Sequence, residues 1–379
     1  MPAPIRAIRT SSLRTASLPS FELVVHTTAT DLLQATLPTL LRHERSANII
    51  LSHAYKIREE EAAGLFAHTQ YPRLWISVWS MPTTALSPAT PTSRFASSTS
   101  PAIGCRPQLE IVLSCCDWSL GTYPIFLWTA AQPSSLSADW LNTRMVALTR
   151  RLRELVPEQR VYSVFAANPV AKAFTKQWSL LTGAVVHPEP FYSASYSFCT
   201  LQTLVPERKG PLPAGHRLRR ASQDDLMAVA QHCQLFAEES VYFPETDDAA
   251  VEEAQQLITK RALWVYEIIA DDEDGVPVIS IACVCAVTRT SANVAAITKV
   301  FTHPRFRQRG CAERLVRHVT KEQLTTLGKK MVVLYVGHTN SAARVYDRVG
   351  YEGLCDKPKV EGVEDWLELG FENSDRGHW

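Results

Sequence analysis

The spacing of apolar and polar positions over residues 216–372 predicts a strand, two helices, three strands, a helix, a strand, a helix and two closing strands. HRLRRAS reads as the first strand, and SQDDLMAVAQHCQLFAEE as a helix opened by Ser222 with acids in its first turn. DDAAVEEAQQLITKR has the spacing of a second helix. ALWVYEIIA and VPVISIACVCAVTR predict a hairpin around the acidic turn Asp271-Asp272-Glu273-Asp274-Gly275. AAITKVFT predicts a strand that Pro304 stops. Ala312 to Leu327 predicts a helix, and MVVLYV a strand from Met331 to Val336. Asn340 is placed to cap a helix that Gly350 ends. YEGLCDKP and EDWLELGF are expected to close the sheet.

Residues 21–205 can be read in the same order. FELVVHT is a strand, TDLLQATLPTLLRHE a helix, and RLWISVWS and QLEIVLSCC are strands on either side of a flexible insertion at 82–101. YPIFLWT is a strand, SADWLNTRMVALTRRLREL a helix, RVYSVFA a strand, then a helix from Asn168 and a last strand, ASYSFCTL. Asn168, Ala171 and Phe174 have the internal spacing of Asn340, Ala343 and Tyr346, so the repeat is as large as a fold. It is imperfect: Gly183 follows Asn168 by 15 residues, whereas Gly350 follows Asn340 by 10. The Pro- and Gly-rich residues 206–215 read as a linker, and residues 1–20 and 373–379 as tails.

Composition narrows the class. A chain of 379 residues, 46% apolar, has enough for two cores. Its 39 basic and 38 acidic residues leave a net charge of +1, which argues against a nucleic-acid partner. No apolar run has the length of a membrane span, so no membrane partner is expected. Nine cysteines without a Cys-x-x-Cys pair or a His/Cys cluster predict no metal and a reducing, cytoplasmic setting. Arg6, Arg9 and Arg14 with no early acid are compatible with a mitochondrial transit peptide, but Pro2, Pro4 and Pro19 favour a disordered tail.

The chemistry concentrates in Lys299 to Ala312. There a strand feeds a basic, glycine-bearing loop into a helix start. Amides of a first helical turn have no intrahelical acceptor and the helix dipole adds positive charge, so such a loop can cradle a phosphate. Gly310 allows close backbone approach, and Arg307 and Arg309 add charge. Arg307-x-x-Gly310-x-Ala312 followed by Asn340-x-x-Ala343-x-x-Tyr346-x-x-x-Gly350-Tyr351 resembles the two signatures of the GNAT superfamily of acyl-CoA-dependent N-acetyltransferases. The resemblance covers roughly 214 to 372. It implies an α/β (α+β) fold of two tandem GNAT-like domains, each a mixed, mostly antiparallel twisted sheet flanked by helices. The first would be degenerate, because it has AAQPSSLSA in place of RQRGCA and Phe174 in place of Tyr346.

The same resemblance implies acetyl-CoA as co-substrate. Its diphosphate would lie on Arg307, Gln308, Arg309, Gly310, Cys311 and Ala312, and its pantetheine arm along Val300, Phe301 and Thr302, with Asn340 and Ala343 alongside. The strand Val300–Thr302 would splay from MVVLYV, and one of its amides would stabilise the oxyanion of direct transfer. Tyr346 would protonate the leaving thiolate; a buried tyrosine bonded to a backbone carbonyl is the alternative. Cys311 reads as a small filler of the loop rather than a nucleophile. The acceptor amine must lose a proton before attack, and the strand Ala295–Val300 has no carboxylate. Glu267, His338, Glu238, Glu239 or water are the candidate bases. The acceptor is a small-molecule or peptide amine, and the acidic, aromatic segment 238–248 suits a cation. An acyl-CoA-binding pseudoenzyme or an interaction module of the same fold is the competing reading.

Overall fold

The computed structural model of the chain describes residues 21–64, 71–81, 107–118, 121–208, 210–239, 246–271, 274–372 and 374. The expected N-terminal tail, the insertion at 82–101 and most of the C-terminal tail lie outside them, as do residues 240–245. The N-terminal half runs β1 (Phe21–His26), α1 (Ala29–Arg42), α2 (Asn48–Ala62), β2 (Leu74–Ser80), β3 (Gln108–Cys115), β4 (Asp117–Trp118), β5 (Gly121–Thr122), β6 (Ile125–Thr129), α3 (Ala138–Leu155), β7 (Ser163–Ala167), α4 (Asn168–Thr182) and β8 (Tyr192–Cys199). The C-terminal half runs β9 (His216–Arg220), α5 (Leu226–Glu238), α6 (Asp247–Thr259), β10 (Leu263–Asp271), β11 (Pro277–Thr290), β12 (Val294–Thr302), α7 (Cys311–Lys321), β13 (Met331–Gly337), α8 (Ala343–Val349) and β14 (Glu364–Gly370). Both halves thus have the element order read from the pattern, with the exceptions below.

The two halves share one sheet of twelve strands, ordered β1-β2-β3-β6-β7-β14-β8-β13-β12-β11-β10-β9. Its centre is an exchange. β8 from the first half pairs antiparallel with β13 of the second (Tyr335 opposite Tyr196). β14 from the second half pairs antiparallel with β7 of the first (Glu368 opposite Phe165). β14 and β8 lie against each other (Trp366 opposite Ala194). Aromatic rings pack this junction: Tyr196 and Tyr335 have centroids 4.7 Å apart, Phe165 and Trp366 5.1 Å, and Tyr335 and Trp366 5.3 Å. Offset and edge-on ring pairs add to the free energy of burial.

The C-terminal strands are buried on both faces. Trp264, Tyr266, Cys283 and Cys285 face a core shared with α7 and α8, while Val265, Val284 and Ala286 face one shared with α5 and α6. Double burial explains why these strands read as near-continuous apolar runs. Caps match their sequence signals. Ser222 and Asp225 form a reciprocal capping box, the Thr246 hydroxyl accepts from Ala249 N, and Gly183 ends α4 at φ 79°.

Three expectations are corrected, and two features, α2 and the short β4–β5 pair, were not expected. YEGLCDKP forms no strand. Gly353, Cys355 and Asp356 adopt φ of 66°, 53° and 64°, which turns the chain, and β8 occupies the place beside β13. α7 stops at Lys321 and continues as a π-turn over Glu322–Thr326. α8 begins at Ala343, and the Asn340 side chain accepts from Ala342 N at 2.9 Å within the preceding turn. α2 went unread, although Ile49, Ile50, Leu51, Ala54 and Ile57 are buried on it. It packs on β6 and β11 and so bridges the halves. Glu44 ties them further: its carboxylate accepts from Asn293 N at 2.7 Å and Asn293 Nδ2 at 2.6 Å.

Candidate active site

β12 and β13 run parallel and pair only from Val294–Ile297 against Met331–Leu334. Beyond Ile297 they part. β12 stays bonded to β11 through Thr302, and β13 stays bonded to β8 through Gly337. The splay expected for Val300–Thr302 is therefore present, and it leaves one edge of β12 from Thr298 onward without a strand partner. A cleft of about 1840 Å³ opens there.

The loop that closes one end of the cleft is built by two left-handed residues, Gln308 at φ 62° and Gly310 at φ 78°. They turn the chain out of the Pro304–Phe306 turn and into α7. Gly310 is the N-cap and supplies no side-chain acceptor, and the first intrahelical bond runs from Arg314 N to Gly310 O at 3.2 Å. The amides of the first turn therefore lack intrahelical acceptors, and Gly310, Cys311 and Ala312 line the cleft. The matching position in the first half is self-capped: the Ser137 hydroxyl accepts from Trp140 N at 3.3 Å. One half of the repeat thus presents an open helix start and the other a closed one.

Val300, Phe301, Thr302, Arg307, Gln308, Gly310, Cys311, Ala312, Asn340 and Tyr346 all line the cleft; Arg309 and Ala343 do not. The Arg309 guanidinium lies 5.6 Å from the Phe306 ring centre instead. Arg307 donates from Nε to Thr302 O at 3.1 Å and forms an ion pair with Glu239 through Nη2. Cys311 is 3% exposed, in keeping with a filling role. Tyr346 is 8% exposed and packs edge-on against Tyr351, 5.8 Å between centroids. Burial raises its phenol pKa, and the nearby thiols of Cys285 and Cys283 and the Tyr192 phenol push the same way.

Of the four candidate bases, only Glu239 and His338 reach the cleft. Glu267 is buried in a network with Arg219, whose Nε donates to it at 2.7 Å and whose Nη1 bonds Asp225 at 2.6 Å. Glu239 is held by Arg307. His338 is clamped at both nitrogens, Nδ1 to Ser193 Oγ at 3.0 Å and Nε2 to Asp365 Oδ1 at 3.0 Å. Lys359 and His338 together outweigh the burial of Asp365 and hold its carboxyl below the usual range, so it is an acceptor only. In the neutral ring Nε2 therefore carries the proton, and Nδ1 accepts from the serine hydroxyl. Ser193 was not read from the sequence. It comes from β8, a strand of the other half, and no local pattern signals the exchange. Ser52, His53, Lys56 and Tyr123 of the first half also line the cleft.

Among the described residues no group of three or more His, Cys, Asp or Glu side chains is arranged for a metal ion. None of the described helices is long and apolar enough to cross a membrane.

Comparison with known proteins agrees with this geometry. Residues 260–353 match the acetyltransferase (GNAT) domain family. A comparison with curated proteins finds no match. A tandem GNAT protein from the clavulanic acid biosynthesis pathway superposes with a TM-score of 0.50 at 13% identity, over 94% of this chain and 100% of that one. A Drosophila protein superposes with a TM-score of 0.52 at 10% identity, over 92% and 98%. At such identities the likeness is one of fold. The GNAT family uses acetyl-CoA, and its acceptors are amines. Residues 260–353 of this chain thus match a GNAT acetyltransferase domain, and the chain as a whole shares the fold of a tandem GNAT protein across both halves.

Proposed function

We propose that the protein is an N-acetyltransferase that moves an acetyl group from acetyl-CoA to a small-molecule amine by direct attack in a ternary complex. The C-terminal half (216–372) acts, and the N-terminal half (21–205) forms a wall of the acceptor site. The observation that carries this reading is the open start of α7 beside the unpaired edge of β12 in one cleft. The residues suit the co-substrate: first-turn amides for a diphosphate, and a bare strand edge for an arm that carries two amides. When bound, acetyl-CoA supplies the activated acyl group.

The chain's own groups divide the proton work. Burial keeps Tyr346 protonated and so in the right state to donate to the departing sulfur, while the same burial makes its phenol a weaker acid than a solvated one. Ser193 and His338 form the outward path. The amine proton passes to the Ser193 oxygen as the serine proton passes to His338 Nδ1, and Asp365 stabilises the imidazolium that results. The acceptor would sit in the cleft lined by both halves, a setting that favours a small amine over a protein tail.

Calorimetry with acetyl-CoA on the full-length protein, beside an Arg307→Ala/Gly310→Asp variant, tests the reading. Micromolar binding abolished in the variant is expected. A folded native protein that binds no acetyl-CoA would overturn it and leave an interaction module.

A further inference from the structure

Arg289, on β11, lines the cleft and is 8% exposed. Its register is unusual. The β11–β12 ladder shifts on both sides of Val287, and the shift sets Arg289 opposite Ala296. Bulges re-aim side chains. Here the side chain ends among a group of phenols: its guanidinium lies 5.4 Å from the Tyr335 ring centre, and the neutral phenols of Tyr196, Tyr123 and Tyr192 are its other near neighbours. Among the described residues Arg289 has no carboxylate partner, and its buried Nε has no hydrogen-bond partner. Four other cations of the cleft are ion-paired: Arg220 with Glu322, Lys299 with Glu253, Arg307 with Glu239 and Arg348 with Glu313. A ring face offsets part of the cost of burying a guanidinium, but not all of it.

The position is informative. Ala296 precedes Ile297, the last residue of β12 paired to β13, so Arg289 stands beside the vertex of the splay, at the far end of the bare edge from the α7 loop. Ser193 and His338 line the same cleft. Lys56 and His53, on α2, add nitrogen bases on the first half's side, and Arg289 and Lys56 both act on His53 electrostatically.

We infer that Arg289 is the recognition site for a carboxylate on the acceptor, so that the substrate is an amine bearing a carboxylate: an amino acid or a compound of that class. The planar guanidinium fork is matched to a carboxylate, and an anion entering the cleft supplies the partner that the fold withholds. This rests on the acetyltransferase reading above. It names the acceptor class that the reading leaves open, and it adds an anionic group to the cation expected of segment 238–248.

The test uses full-length native protein and the variants Arg289→Met and Arg289→Lys. A panel of amino acids, each beside its carboxamide, is offered with acetyl-CoA, and thiol release is followed. For the native protein the acids are expected to exceed their carboxamides in kcat/KM by about 100-fold or more, because a buried charge left unpaired is a strong discriminator. In Arg289→Met this ratio falls to within a few-fold, Arg289→Lys retains part of it, and acetyl-CoA affinity stays the same. Equal use of acids and carboxamides by the native protein, or a preference that survives Arg289→Met, overturns the assignment while leaving the acetyltransferase reading intact. If no amine is acetylated, that reading fails, and thermal unfolding decides the role of Arg289 alone. A guanidinium waiting for an anion predicts that Arg289→Met melts at the same temperature or higher. A lower melting temperature marks a structural arginine and overturns the inference.

Discussion

Glu313 lies in the first turn of α7 and is the point at which the loop before that helix is fastened to the rest of the second half. Its Oε1 meets Arg317 Nη2 at 3.2 Å and its Oε2 meets Arg348 Nε at 2.7 Å, with the Glu313 and Arg317 side chains 6% and 7% exposed. Arg317 also donates to Val205 O at 3.0 Å, to Arg348 O at 2.9 Å and to Glu207 at 3.3 Å. Glu313→Ala leaves Arg317 buried without its nearest charge. Removing one member of a buried pair costs about 3–5 kcal/mol. The remaining acceptors of Arg317 place this case near 3 kcal/mol. Arg348, half exposed, adds less than about 1 kcal/mol after solvent screening. An unfolding entropy of about 2.1 cal/mol/K per residue gives about 0.8 kcal/mol/K for 379 residues, so the melting temperature should fall by ~4–5 °C. Differential scanning calorimetry measures this directly. Glu313→Ala/Arg317→Met should lose less than the sum of the single changes, because neither charge is then stranded. A melting temperature within a degree of the native value would refute the reasoning and make the network a surface ornament.

Tyr346→Phe should lower kcat by about 10²–10⁴-fold and leave the acetyl-CoA Kd within about twofold; an unchanged kcat rejects the acid role. Glu239→Gln frees Arg307 for a diphosphate, and because both groups are about half exposed the acetyl-CoA Kd should tighten only about 2–5-fold, with less effect in high salt. Lys56 is held near pKa 7 by burial, below its unfolded value, so the unfolded chain binds more protons between pH 7 and about 10.5. Stability from this group is therefore lowest below pH 7 and rises with pH through that window by up to about 1.4 kcal/mol per unit, and urea midpoints for Lys56→Met should show a flatter rise. Gly350 has φ 113°, and a Cβ there would stand 2.0 Å from Thr203 O, so Gly350→Ala should cost at least about 2 kcal/mol in denaturant titration.

How much of this was legible in the sequence depended on how local each signal was. The turn from β12 into α7 was readable because its parts are contiguous: a strand, a proline stop, a glycine and a helix start within fourteen residues, Lys299 to Ala312, although the left-handed Gln308 was not. The splay followed from the resemblance and the structure bears it out in the short β12–β13 register. α2 was missed because its apolar stretch, Ile49–Leu51, is short and is followed by the charged run Arg58–Glu61, so the pattern looks like neither a strand nor a strongly two-faced helix. YEGLCDKP was misread because a strand was owed at that point and its true occupant, β8, lies more than 150 residues earlier in the chain. Arg289 gave no sign at all. In the run Thr288-Arg289-Thr290 an arginine at a strand end reads as solvated, and only the bulge beside it turns it inward.

The exchange of β8 and β14 also sets the order of events during synthesis. β7 ends at Ala167 and its partner begins at Glu364, 197 residues later. At about 5–20 residues per second the ribosome needs about 10–40 s to deliver that strand, and for this time the edge of β7 is bare. The first half must therefore wait, partly built, for residues 364–370 to emerge. A chain cut anywhere between the halves leaves two pieces, each lacking a neighbour for an inner strand. The two halves therefore complete their sheet only together, as one unit.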